Sequence, residues 1–292
     1  MAISWYIFSL ISAFFSATAA ITQKKVLFKE SALNFSAVLA VFSLLIAIPF
    51  FFFIDFSSLA FSAMLVLFIK SVLEAGSFFC VMLGIKNLEI SRALPLLVLT
   101  PGLVAFFAFL FLGESLSSFE ITGMLFLIAG TYTLSLKKRQ KLEEPVEESI
   151  NPKGHYYIIL ALTLFTITSI LDKALLSNFK VPINTFMGFQ HLFLAIIFFT
   201  VIVFLGKTKS VKSSFKNSWK FVLLIAFITI TYRYAHLLAI KIAPVALALS
   251  IKRISVFFAV LIGGKLFKEH NLLRKIIATI FLIAGALFII NG

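Results

Sequence analysis

Carboxylates are scarce in this chain. Of 292 residues only 12 are Asp or Glu, and two of those are aspartates, Asp55 and Asp172. With so few, no acidic cluster that could hold Mg²⁺ can be drawn, and no Ser-His-Asp or Cys-His set is at hand for nucleophilic catalysis. The reading is therefore a protein without catalytic residues, metal or cofactor, and not an enzyme. A single cysteine, Cys80, lies within an apolar run, which leaves no internal disulfide and no redox clue. Charged residues of both signs make up only 13%, against 61% apolar and a mean hydropathy of +1.08. A water-soluble domain of this length could not carry such a surface, so the chain reads as a polytopic membrane protein.

Runs long enough to cross about 30 Å of hydrocarbon fall at 2–22, 33–54, 59–83, 93–112 and 119–136. Five more follow at 155–171, with 176 as the outer limit, then 184–205, 219–240, 243–262 and 272–290. None alternates polar and apolar residues as the strand of a membrane barrel would. The expected fold is all-α integral membrane, with ten transmembrane helices.

The chain also contains itself twice. Moving Gly84 through Gly130 by 155 positions lays it without a gap on Ala239 through Gly285. The shift matches Ile85-Lys86 with Ile240-Lys241, Glu114 with Glu269, and Leu127-Ile128-Ala129-Gly130 with Leu282-Ile283-Ala284-Gly285. Earlier in the repeat a shift of 149 lays Gln23-Lys24 on Asp172-Lys173. Each copy holds five spans, an odd number, so the second copy enters the membrane from the opposite side and the two form inverted repeats, an architecture suited to alternating access. The expected organisation is a first five-helix repeat over 1–136, a flexible charged tether over 137–154, and a second five-helix repeat over 155–292.

A net charge of +14 invites a nucleic-acid partner, but its distribution argues against one. Outside the spans lie 22 Lys and Arg, of which 19 follow odd-numbered spans and three, Lys173, Lys180 and Lys241, lie on the other side. That bias is the positive-inside signature and places both termini outside. The expected partners are a small-molecule solute and the lipid bilayer, with no nucleic acid, and the state a monomer or homodimer. The expected location is the plasma membrane.

Ala93-Leu94-Pro95, the run Phe109-Leu110-Phe111-Leu112-Gly113-Glu114 and Gly123 to Gly130 resemble the EamA-like domain of the drug/metabolite transporter superfamily. In the second copy the corresponding stretches are Ala243-Pro244-Val245, Lys268-Glu269 and Ile283-Ala284-Gly285, with Lys268 where the first copy has Gly113. The resemblance covers essentially the whole chain. It implies a secondary carrier, often an exporter, of amino acids, nucleotide-type metabolites or drugs, with a central cavity between the halves. It also implies cytoplasmic termini, against the charge bias.

Ionisable residues inside spans are costly and call for a functional or pairing reason. Lys70 and Glu74 lie four apart on one helix face and can neutralise each other. The 155 shift brings Arg233 onto the same stripe, and His236 extends it. Lys252 and Arg253 sit in the middle of span nine, where, as neighbours on one helix about 100° apart, only one is expected to face the cavity directly. Tyr232 flanks Arg233, and Gln190 and His191 lie in span seven; His191 is read equally as a satisfied interhelical donor and as a binding group. Lys24 and Lys173 read as snorkelling anchors, and Glu114 and Glu269 as structural groups beside the next helix start. Lys70, Arg233, Lys252 and Arg253 set against Glu74 leave a surplus of three positive charges. The expected solute is thus a small anionic or zwitterionic metabolite, such as an amino acid or a phosphorylated compound, with Glu74 open to an amino group. The substrate-binding set is Lys252, Arg253, Arg233, Glu74, Lys70, His236, Tyr232 and Gln190. The rival reading is a polytopic membrane enzyme or flippase that grips a lipid-linked phosphate with the same cations.

Overall fold

The computed structural model describes residues 4–56, 59–88, 90–135 and 152–267, with 277, 280, 281, 283–285, 287 and 288 beyond them. Its described apolar runs are helical throughout. In the first repeat α1 (Trp5–Leu27), α2 (Ala32–Phe51) and α3 (Phe61–Asn87) precede a short α4 (Ile90–Leu96), a 3-10 turn (Leu97–Leu99), α5 (Thr100–Leu112) and α6 (Ser118–Ser135). The second brings α7 (Pro152–Ser177), α8 (Ile183–Phe204), α9 (Thr208–Ile242), α10 (Val245–Lys252) and α11 (Ile254–Leu266).

Local chemistry sets many of the ends. The Ser31 hydroxyl caps α2 by accepting from the amide of Asn34 at 3.1 Å. At α6 a capping box closes, Ser117 and Glu120 exchanging bonds of 2.7 and 3.1 Å. Gly113 ends α5 in the left-handed region at φ 67°, where a side chain would be strained. Pro152 opens α7, so helix has already begun within the last three residues of the expected tether; 137–151 lie outside the described residues.

Among the described residues seven stretches are long and apolar enough to cross a membrane, the seventh being Val245–Leu266, which joins α10 to α11. Of the ten expected spans, the fourth and fifth appear as shorter apolar helices, and the tenth lies largely outside the described residues. The fourth and ninth spans each carry a local irregularity. Span four tightens to 3-10 at Leu97–Leu99, just ahead of Pro101, and span nine has one turn residue at Arg253, whose amide still bonds to the Leu249 carbonyl. A shift of 155 carries the one irregularity onto the other.

The two repeats interleave. α1 packs along α9 and its repeat-equivalent pair, α3 along α7, while α2 lies on α8. Across the middle α10 meets α5 and α11 meets α4, again an equivalent pair of contacts. Small residues let α3 and α7 approach closely: a methyl on Gly84 would collide with the buried Ile158. Many phenylalanines stay on the outside, among them Phe14, Phe106 and Phe199, as expected of a surface solvated by lipid tails.

Candidate functional site

A cavity of about 190 Å³ lies where the interleaved helices leave room between the halves, large enough for a small organic solute rather than a single water. Seven of the eight expected binding residues line it: Glu74 of α3, Gln190 of α8, Tyr232, Arg233 and His236 of α9, and Lys252 and Arg253 in the middle of span nine. Lys70 does not. It is fully buried behind the wall and belongs to the packing of the site rather than to its surface.

What Lys70 holds was missed. It pairs with Glu74, as its spacing suggested, and also with Asp172 of α7 at 3.0 Å. Asp172 in turn accepts from Arg233 at 2.7 Å, and Arg233 stands 3.6 Å from Glu74. Gln190 ties the group together, donating to Glu74 at 2.9 Å and accepting from Arg233 at 3.2 and 3.3 Å. The Phe186 ring lies against both cations, 5.2 Å from the Lys70 ammonium and 5.8 Å from the Arg233 guanidinium. Four helices, α3, α7, α8 and α9, thus meet in one two-cation, two-carboxylate network. The only sequence signal for Asp172 was its rarity and its place opposite Gln23 in the repeat.

Lys252 and Arg253 meet a different environment. Both line the cavity: Lys252 ends α10, and Arg253, the single residue between α10 and α11, keeps a right-handed helical backbone. Arg253 donates to the hydroxyl of Thr100 in span four at 2.9 Å, and its Nε has no partner. The Lys252 ammonium sits 5.3 Å from the face of the Tyr232 ring. No carboxylate of the described residues forms an ion pair with either one. With Asp172 counted, the surplus is four cations against two anions, or +2 rather than +3.

Elsewhere the described lining carries no formal charge. α2 and α8 contribute Phe198, Leu194 and Ser43, together with polar atoms that lack partners, the Ser36 hydroxyl and both ring nitrogens of His191. His191, 97% buried, is therefore no satisfied interhelical donor. Buried donors and acceptors left open toward a cavity favour a ligand that satisfies them.

Outside the cavity the expected snorkelling anchors have a different role. Lys24 donates to the carbonyls of Ile85 and Leu88, and Lys173 to those of Ile240 and Ala243. Each cation satisfies the open carbonyls at a helix C-terminus, of α3 and of α9. Glu114 stands 3.4 Å from Lys173 and accepts from the amide of Val245 at 3.0 Å, so it serves the start of α10 in the other repeat rather than the next helix. Lys268 and Glu269 lie outside the described residues.

Interleaved repeats of apolar helices around a polar cavity make a multi-pass membrane protein, and the family match makes it a transporter of the drug/metabolite type. The model of the EamA-like transporter family matches residues 3–136 and 152–291, and the chain belongs to that family. Its members are generally not enzymes. No curated protein matches the chain. A solved structure titled only as a crystal structure of a protein is similar over 97% of this chain and 95% of that one, with a TM-score of 0.73 at 16% identity, a likeness of fold.

Proposed function

We propose that the protein is a secondary carrier that moves a small anionic metabolite across the plasma membrane by alternating access, in the direction of export. The observation that carries this reading is the cavity between two interleaved repeats, which Lys252 and Arg253 of span nine both line. Ten helices as two inverted five-helix repeats complete the architecture, and the 19-to-3 bias of loop cations orients it with both termini outside.

Substrate binding falls to Lys252, Arg253 and Arg233, with His236, Tyr232 and Gln190 completing the wall and Glu74 and Lys70 setting its charge. Solute counterflow tests the reading. Proteoliposomes preloaded with an unlabelled organic acid should transiently accumulate the labelled acid. Turnover of a lipid-linked phosphate without counterflow of any soluble solute would replace the carrier with a membrane enzyme.

A further inference from the structure

Whether the site accepts an amino group depends on what its carboxylates are doing. An ammonium needs a carboxylate free to receive it, and the described lining has two, Glu74 and Asp172. Both are already ion-paired, although Asp172 Oδ1 makes no hydrogen bond. Lys70 pairs with both from behind the wall, and Arg233 faces both from within it, 2.7 Å from Asp172 and 3.6 Å from Glu74. The remaining charged groups of the described lining, Lys252 and Arg253, are cations. A bound ammonium would therefore meet like charge with no anion to offset it, while a carboxylate or phosphate would meet two unpaired cations.

We propose that Lys70 makes this site selective for small organic acids that lack an amino group, by holding Glu74 and Asp172 in ion pairs. Lys70 is a positioning residue: it does not line the cavity and touches no solute. The proposal rests on the carrier reading above and narrows it, removing the zwitterions that a free Glu74 would have admitted. The neutral α2–α8 wall fits the same class, since the open His191 nitrogens and Ser36 hydroxyl can bond a hydroxyl or carbonyl but cannot neutralise an ammonium. Discrimination comes from a repulsive element as much as from an attractive one.

Matched pairs of probes that differ in the amino group test this: lactate against alanine, and succinate against aspartate. Thermal unfolding of the full chain in detergent, followed against probe concentration, reads an apparent affinity for each. Lactate and succinate should bind more tightly than their amino counterparts by about tenfold or more, since the ammonium adds an uncompensated like charge. In Lys70→Met the freed carboxylates should accept the ammonium, and the preference within each pair should shrink or reverse. A merely structural Lys70 would lower stability and leave the preference as it was, which would overturn the proposal. Equal effects of both members of a pair on the unaltered protein, including no effect from either, would also overturn it, and that result needs no variant to fold. Counterflow of an amino acid would leave the carrier reading standing and this one refuted.

Discussion

Lys24 and Lys173 make the same bonds in the two repeats. Each ammonium reaches the carbonyls at the end of a neighbouring helix, Ile85 and Leu88 for one, and Ile240 and Ala243 for the other, at acceptor positions 155 residues apart. A shared side chain on an equivalent pair of acceptors is physical evidence that the halves are copies. It also explains a buried and a half-buried lysine that hydropathy alone would push to the headgroups.

Removing either cap should therefore cost stability. Lys24→Met and Lys173→Met each leave two carbonyls open at a helix end, a loss of about 1–3 kcal/mol for such groups. The check is thermal unfolding in detergent. Melting unchanged in both variants would return these lysines to simple anchors.

The charge network sets a second expectation. Asp172→Asn leaves Lys70 and Arg233 short of one carboxylate deep in the bundle, and breaking a buried pair in this way costs about 3–5 kcal/mol. Adding Lys70→Met to Asp172→Asn should recover part of the loss, because the cation without a partner is then gone as well. Strictly additive losses in the double variant, read by unfolding or by folded yield, would show that the two groups do not act as a pair.

Packing between the repeats gives a third. Gly84→Ala places a methyl against Ile158, which is fully buried, and overpacking of this kind costs about 1–3 kcal/mol. Shortening the partner with Ile158→Ala should relieve the strain. If the two losses add instead, α3 and α7 are not in contact at that point.

Orientation can be checked at Lys209, exposed in the first turn of α9 within the basic loop after span seven. In a Cys80→Ala background, Lys209→Cys should resist an impermeant thiol reagent in intact cells and react once the membrane is opened. Ready labelling in intact cells would place the termini inside.

Several of these features were legible in the sequence. The 155 shift exposed the repeat, and the four-residue spacing of Lys70 and Glu74 announced their ion pair. Asp172 escaped because it sits near the end of an apolar run and its partners come from α3 and α9, to which no sequence spacing ties it. The turn at Arg253 was also hidden, since no proline marks it. Periodicity placed Lys70 on the inner face of α3 but could not separate a cavity wall from the packing behind it.

The central claim is that Lys252 and Arg253, side by side in the ninth span, grip the negative group of a transported solute. The most direct measurement is counterflow of an organic acid in proteoliposomes carrying Lys252→Ala or Arg253→Ala, with folding confirmed by size-exclusion profile. The account predicts that each variant folds and loses affinity by roughly tenfold or more, as expected on removing a charge-assisted contact. Arg253→Lys should also weaken binding, because the ammonium cannot reproduce the guanidinium fork. Folded variants that still move the acid at unchanged affinity would contradict the account, as would a transported solute that proves to be a permanent cation.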